Sequence, residues 1–309
     1  AEQVYLSTAT AAHPVTLNAA EGVYNEQIVL EPHLRIQGAG MEATVLQFYD
    51  SSADDHFVVS AAEDTALRGL AVTLPTLTTN LAVLVRIEDV VMELDHVLLD
   101  GRLSRYATGV VVNGPDSSAS TIHDSVFQRL SDGVYAVDTA ANITNNVFQD
   151  ILGYGVFISP PMAKQGAPAT PVLGRADSID QVGLNRFRDV DGTFVKNFTD
   201  SPVSAQLNDW GTYEADEIAR KLSSSVAFEP FVSSTLEDGS IVVQLLDADS
   251  GAPIPVTVSG AVTIAESETS AFRDEVSGLF ILPGIAEGTW TLEASATGYD
   301  PGTATVERI

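Results

Sequence analysis

Residues 121–158 read TIHDSVFQRLSDGVYAVDTAANITNNVFQDILGYGVFI, which is nearly the same phrase twice. Phe127 recurs as Phe148, 21 residues later, and Gly133-Val134 returns as Gly155-Val156 with one residue added. Within each copy the apolar residues come in short alternating runs, which is the periodicity of β-strands. A repeat of this length cannot bury its own apolar face, so it must stack on its neighbours as a solenoid does. The stretch therefore predicts one coil of a right-handed parallel β-helix.

The first coils begin at Val15 and carry a second pattern. Residues 21–30 read EGVYNEQIVL, residues 34–40 read LRIQGAG, and Thr44-Val45-Leu46 follows. This succession resembles the opening coils of pectin-lyase-like β-helix proteins, pectin methylesterases among them, in which a G-x-Y-x-E-x-I strand precedes an I-x-G-x-G turn. The resemblance implies an all-β fold with the β-helix spanning residues 15–232. Because it concerns scaffold positions, it says little about chemistry.

The period breaks at residues 159–183, which are rich in Pro, Ala and Gly. This composition predicts a loop that projects from the side of the solenoid. The repeated phrase resumes at Asn185, with Phe187 in the place of Phe148. Long loops on rigid scaffolds are where functional residues concentrate, so the insertion marks a region of interest.

Residues 207–232 close the solenoid. As in many β-helix proteins, an N-x-W-G-T turn precedes a short acidic helix, here predicted over about residues 214–222 with Thr212 as its N-cap. We expect this helix and Trp210 to cover the last coil, whose open edge would otherwise pair with another chain.

Three further segments flank the solenoid. Residues 1–14 contain one strand candidate, Val4–Leu6, and predict either a cap or an arm that adds a strand to a neighbouring molecule. Residues 233–238 form a linker. Residues 239–309 alternate short strands with Gly-containing turns, which predicts a small Ig-like or transthyretin-like β-sandwich of about seven strands. This segment resembles carboxypeptidase-regulatory-like domains, which implies an accessory module of a secreted or surface protein.

Charge limits the choice of partners. The chain has 42 acidic and 15 basic residues, a net charge of −27, and no cysteine. Such a field repels nucleic acid and anionic membranes, which excludes both as partners. No apolar run reaches the roughly 18 residues that cross a bilayer. The sequence opens on Ala1-Glu2-Gln3, which fits a mature secreted chain or a trimmed one.

Acidic residues offer candidates for a cation site. Asp95 and Asp124 are expected to stack on neighbouring coils if Val97 and Val126 are equivalent, and two carboxylates that close repel each other unless they share a proton or a metal. The main interpretation is a solvated acidic face, and the alternative is a calcium ion shared by Asp95 and Asp124. His96 and His123 adjoin the two aspartates and are interpreted as bend or surface residues. Alignment on the two phenylalanines also predicts an amide ladder at the bends, Asn145 over Asp124 and Asn146 over Ser125.

Catalytic candidates are fewer. The motifs of pectin methylesterases are absent: the chain has no D-F-I-F-G strand, and its one L-G-R, Leu173–Arg175, lacks the usual aromatic successor. Polysaccharide lyases need a base, commonly Lys or Arg, and a cation that neutralises the uronate carboxylate. The candidates near the insertion are Arg186 and Arg188 as bases and Asp189 as an acid that could hold the cation. Glycoside hydrolases need two carboxylates at a set distance, and the acids are too numerous for the sequence to nominate a pair.

Three functions remain open. The first is a non-catalytic extracellular or cell-surface protein with a structural or adhesive role. The second is a polysaccharide-binding or polysaccharide-active protein, lyase-like or hydrolase-like, that works along one face of the solenoid. The third is a self-assembling subunit in which residues 1–12 complete a neighbour's sheet and build a homo-oligomer or filament. The first is the main prediction and the second is its alternative.

Overall fold

A computed structural model describes residues 9–50, 56–76, 78, 80–161, 167–178, 181–237, 239–265, 267 and 269–308. The predicted strand Val4–Leu6 lies outside these residues, as does most of the proposed N-terminal arm. Within them the regular secondary structure is almost entirely β, with one short α-helix, α1 (Ala215–Arg220), and one 3₁₀ turn, Pro115–Ala119. No helix of this part is long and apolar enough to cross a membrane.

The strands follow one another at short intervals along the whole described chain. Those of the solenoid are β1 (Val15–Asn18), β2 (Gly22–Asn25), β3 (Ile28–Val29), β4 (Leu34–Gln37), β5 (Thr44–Gln47), β6 (Phe57–Ser60), β7 (Thr65–Thr73), β8 (Ala82–Glu88), β9 (Met92–Asp100), β10 (Ala107–Asn113), β11 (Thr121–His123), β12 (Val126–Gln128), β13 (Asp132–Val137), β14 (Asn142–Thr144), β15 (Val147–Ile151), β16 (Tyr154–Ser159), β17 (Arg186–Val190), β18 (Thr193–Asn197), β19 (Val203–Ser204) and β20 (Val226–Ala227). The strands of the C-terminal segment are β21 (Ile241–Val243), β22 (Gly260–Ile264), β23 (Phe272–Arg273), β24 (Phe280–Leu282), β25 (Gly288–Ala296) and β26 (Gly302–Arg308).

The solenoid strands pair in parallel, each with the equivalent strand one coil on. One sheet runs β1-β4-β7-β9-β12-β15-β17, with β2, β5, β11 and β14 attached to it, and a second runs β3-β6-β8-β10-β13-β16-β18. The long strands β7 and β9 continue through a bend at which the coils before and after them have two separate strands, β4 and β5 before and β11 and β12 after. This stacking of parallel coils confirms the β-helix that the repeat predicts.

The bend has its own sequence signature. Gly69, His96, Asp124 and Asn145 occupy it in successive coils, each with left-handed backbone (φ 59°, 52°, 51° and 53°). Apart from glycine, Asn, Asp and His are the residue types enriched in this conformation. The need to turn the chain therefore concentrates polar, titratable side chains along one edge of the solenoid.

Aromatic rings fill the core where the phrase repeats. Phe127, Phe148, Phe187 and Trp210 stack with centroid separations of 4.7, 4.9 and 4.7 Å, and all four are essentially fully buried. This confirms the equivalence of Phe187 with Phe148 and the place of Trp210 over the last coils. Gly133 is required beneath the rings because a Cβ there would lie 2.7 Å from Phe148 and 2.4 Å from the carbonyl oxygen of Gly155.

A second ladder is polar and buried. The amides of Asn146, Asn185 and Asn208 bond in series, Asn146 Nδ2 to Asn185 Oδ1 at 3.1 Å and Asn185 Nδ2 to Asn208 Oδ1 at 3.0 Å. Asn146 Oδ1 accepts the backbone N–H of Ser125 at 3.1 Å. The predicted placement of Asn146 over Ser125 is confirmed, and the ladder extends further than predicted because Asn185 and Asn208 continue it.

Two local predictions need correction. The described part of the 159–183 insertion is not all a projecting loop: Val172 forms a parallel bridge to Asn142 and Leu173 is fully buried, since this piece completes a coil. The helix is shorter than predicted, and its N-cap is Glu214, which makes no side-chain capping bond. Thr212 instead donates its hydroxyl to Glu217 Oε2 at 2.7 Å.

The C-terminal segment forms two antiparallel three-stranded sheets, β21-β24-β23 and β22-β25-β26. Side chains from both sheets meet in one apolar cluster that includes Val262, Phe280 and Leu292. These six described strands compare with the seven or so expected, and the resemblance to an accessory sandwich domain stays a prediction.

The linker is tied to this segment by one carboxylate. Asp274, 1% exposed, accepts bonds from the hydroxyls of Ser233, Ser234 and Ser277 at 2.7–2.9 Å. Burial acts to raise the pKa of Asp274, but the hydrogen bonds from these serines outweigh it and hold the pKa below its ordinary value. The ionised carboxylate therefore stabilises the folded chain.

Candidate functional site

Aromatic side chains form a strip on the outer face of the second sheet. Tyr135 on β13 and Phe157 on β16 are register partners, and their ring centroids lie 5.1 Å apart. Tyr154 lies 5.0 Å from Phe157 on one side, and Phe198 lies 5.3 Å from it on the other. These four residues are called the aromatic strip. Its rings are tilted by 43–58° to one another, so they present a corrugated apolar surface to solvent.

The strip carries a cation at one end. Lys196 is the register partner of Phe157, and its Nζ lies 5.0 Å from the centroid of Phe198. Among the described residues no carboxylate forms an ion pair with Lys196 within 4.0 Å. Phe198 is 56% exposed, which is unusual for an apolar ring without a polar end. The four rings are contiguous, and contiguous exposed apolar patches on proteins are candidate interaction sites.

A second group of residues, polar rather than aromatic, lies at the bend on the outer face of the first sheet. Strands β9 and β11 place His123 opposite Asp95, and the left-handed residues His96 and Asp124 follow each of them. Together with Glu93 these residues are called the bend cluster. His123 Nδ1 lies 2.7 Å from Asp124 Oδ2 and 3.5 Å from Asp95 Oδ1, and its Nε2 lies 3.5 Å from Glu93 Oε1. His96 Nδ1 also bonds Asp95 Oδ1.

Neighbouring coils hold the carboxylates of the bend cluster in place. Arg68 donates to Glu93 Oε2 at 2.7 Å and its Nε lies 3.9 Å from Asp95 Oδ2. On the other side, Asn145 Nδ2 donates to Asp124 Oδ1, which confirms the predicted placement of Asn145 over Asp124. The cluster therefore lies on two successive coils, its five residues are half-buried, and the coils on either side supply the partners Arg68 and Asn145.

These contacts shift three pKa values. The hydrogen bond to Asp124, against the opposing effect of burial, raises the pKa of His123, and the charges of Asp95 and Glu93 add to it. Burial would raise the pKa of Asp124, but the bonds from His123 and Asn145 lower it below its ordinary value. The hydrogen bond to Glu93 raises the pKa of Arg68. The contacts of the bend cluster therefore favour the protonated form of His123 and the ionised form of Asp124.

Of the predicted catalytic residues, Arg188 and Asp189 line one open cavity beside the helix α1, together with Glu217 and Lys221. The guanidinium of Arg188 forms a two-pronged pair with Asp209, with Nη1 3.0 Å from Oδ1, and Asp209 is 2% exposed. Asp189 turns outward at a left-handed bend, and Arg186 lies on β17 opposite Val147. Arg188 therefore serves the closing turn of the solenoid, where Asp209 also accepts the backbone N–H of Leu236 at 2.9 Å.

The predicted metal residues are brought together, but not as expected. Asp95 lies opposite His123 rather than Asp124, because Val126 pairs with Leu98 and not with Val97. Asp95 and Asp124 still converge through His96, which follows Asp95 at the bend. The histidines were interpreted from sequence as bend or surface residues; His96 does lie at the bend, and both histidines belong to the cluster.

The aromatic strip is not among the features predicted from the sequence. Tyr135 and Phe157 lie within short apolar runs and were assigned no role there. The available signal was their recurrence at outward positions: each follows an inward valine, Val134 and Val156, in the repeated phrase.

Comparisons with known proteins identify only distant likenesses. No family model matches the sequence, and no curated protein matches it. Among solved structures, the chain is similar to a pectin methylesterase variant in complex with a hexasaccharide (13% identity, 75% of this chain and 85% of that one, TM-score 0.44) and to pectin methylesterase from carrot (12% identity, 74% and 78%, TM-score 0.37). It is also similar to a tailspike protein of an Acinetobacter baumannii bacteriophage, a capsular polysaccharide depolymerase (11% identity, 96% and 74%, TM-score 0.32). With TM-scores below 0.5, none of these likenesses identifies the residues at work in this chain.

Proposed function

We propose that the chain binds a polysaccharide along the aromatic strip. The observation that carries the proposal is the row of Tyr135, Phe157 and Phe198, exposed to different degrees on neighbouring coils. The C–H bonds on one face of a pyranose ring form an apolar, weakly positive surface, which suits the negative face of an aromatic ring. Coils about 4.8 Å apart repeat this surface along the solenoid, so successive rings contact successive parts of an extended chain.

Charge favours a neutral or sparsely charged polysaccharide. The net charge of −27 repels a densely charged polyanion, and salt screens this repulsion only at separations beyond the Debye length. Lys196 supplies a local donor for sugar hydroxyls or an occasional carboxylate, and its position beside Phe198 places it at the edge of the strip. We propose binding without turnover, because the guanidinium of Arg188, a predicted catalytic base, is already paired with the carboxylate of Asp209.

The remaining parts of the chain fit this role as accessories. We propose that residues 15–232 form the binding unit and that residues 239–309, after the 233–238 linker, form a small accessory sandwich. Action outside the cell, at a surface or in the medium, belongs to the same proposal, since that is where polysaccharides are met. Self-assembly through residues 1–12 remains a separate prediction.

The test is a glycan screen on the intact chain followed by titration calorimetry with the best neutral polysaccharide. Phe157→Ala and Phe198→Ala are each expected to weaken binding at least about tenfold, the loss that about 1.4 kcal/mol produces. Tyr213→Ala is the matched control, because Tyr213 is 55% exposed and lies outside the strip. Equal affinities for all three variants would refute the proposal, and release of oligosaccharides would replace binding with catalysis.

A further inference from the structure

We infer that the bend cluster is a binding site for a divalent first-row transition-metal ion such as Zn²⁺ or Co²⁺. This site lies on the first sheet, away from the aromatic strip, and the inference does not depend on polysaccharide binding. It starts from two histidines and three carboxylates that the bend and the coil register bring together. Imidazole nitrogen and carboxylate oxygen are the usual protein ligands of such ions.

The spacing of the donor atoms fits a single ion. One atom each from Glu93, Asp95 and His123 lie within 4.8 Å of one another, and the same is true of Asp95, His96 and Asp124. Metal–donor bonds of about 2.0–2.2 Å place donors on opposite sides of an ion roughly 4 Å apart. Asp95 belongs to both groups, so an ion beside its carboxylate has a histidine nitrogen within reach on either side.

The nitrogens determine which ion the site takes. Calcium prefers six to eight oxygen ligands in a flexible shell. The bend cluster offers one imidazole in each group of three, which favours a transition metal over the calcium predicted from Asp95 and Asp124 alone. The mixture of donors also separates this site from the many exposed acids elsewhere on the chain.

The surroundings hold the donors in fixed positions. Arg68 binds Glu93 through Oε2, so Oε1 is the oxygen that faces His123. Asn145 binds Asp124 through Oδ1, so Oδ2 is the oxygen turned toward the imidazoles. Partners of this kind orient metal-binding carboxylates, and their loss commonly weakens metal binding by about 10–100-fold.

The experiment is a titration of the intact, chelator-treated chain with Co²⁺, followed by visible absorption and by calorimetry, with Zn²⁺ as competitor. We expect saturation at one ion per chain, with an absorption band that Zn²⁺ abolishes. Asp95→Asn and His123→Gln are each expected to weaken binding at least about tenfold. His33→Gln is the matched control, because His33 pairs with a single carboxylate, that of Asp64, at 3.2 Å, and is expected to leave binding unchanged.

Three results would overturn the inference. They are no saturable Co²⁺ binding at millimolar concentration, equal binding by the control and the two variants, or Ca²⁺ bound more tightly than Zn²⁺. Circular dichroism of each variant establishes that it is folded. If Asp95→Asn does not fold, His96→Gln replaces it, because the His96 side chain is 41% exposed and its loss leaves the core intact.

Discussion

Replacing Phe148 with alanine is expected to be among the most destabilising single changes in the solenoid. Phe148 is fully buried between Phe127 and Phe187, with centroid separations of 4.7 and 4.9 Å. Buried Phe→Ala changes cost about 3–5 kcal/mol, and a stacked ring pair is worth about 0.5–1.5 kcal/mol beyond the area it buries. The site cannot collapse easily, because the backbone at Gly133 is already in close contact with the next coil.

We therefore expect a loss of about 4 kcal/mol in the free energy of unfolding, close to a thousandfold change in the equilibrium constant. The measurement is urea unfolding followed by far-ultraviolet circular dichroism, with the slope against urea checked for a change in the unfolding transition. Phe157→Ala is the matched control, because Phe157 is also a phenylalanine with several aromatic neighbours but lies on the outer face. It is expected to cost about 1 kcal/mol, since less of its area leaves water on folding. Equal losses for the two variants would refute the reasoning that the inner stack carries the stability of these coils.

Three further changes test other parts of the fold. Gly133→Ala is expected to cost about 2 kcal/mol in urea unfolding, because the added Cβ would lie 2.4 Å from a carbonyl oxygen; a neutral effect would mean that the coils separate easily. Asp274→Asn is expected to cost about 2 kcal/mol at neutral pH. Because folding lowers the pKa of Asp274, the carboxylate stabilises the fold above the ordinary carboxyl pKa, and this stabilisation is lost as the pH falls through the folded pKa. The thermal stability of the variant should therefore fall less in acid than that of the parent chain. The same pH profile for both would contradict this reasoning. Arg188→Met is expected to cost about 3 kcal/mol by leaving the buried Asp209 unpaired, and restoration by the double change with Asp209→Asn, in the same unfolding assay, checks the pairing.

The fold was accessible from sequence because the repeat carries its own alignment. Phe127 and Phe148 occupy equivalent positions in two nearly identical phrases, and short alternating runs exclude helices. The bend residues were accessible for a similar reason, since Asn, Asp and His tolerate the left-handed backbone. Both signals are local and repeat from coil to coil.

The functional surfaces were less accessible, because they depend on which way a side chain points. Val97 and Leu98 are both apolar, yet Val97 is buried and Leu98 faces partly outward as Val126 does. Choosing the wrong one shifted the alignment of Asp95 by one residue and hid its contact with His123. The aromatic strip depends on the same choice, because Tyr135 and Phe157 face outward beside the inward-facing Val134 and Val156.

The buried asparagine ladder has a consequence for how the chain folds. Asn146 donates to Asn185 and Asn185 donates to Asn208, in each case from one coil to the next and between fully buried side chains. If one coil docked on its neighbour two residues out of step, its inward apolar side chains would still face the core, but these amides would lose their partners at a cost of about 1–3 kcal/mol each. The ladder therefore selects the register in which the coils stack. Only coils in the correct register form its hydrogen bonds, and each mis-stacked coil loses them.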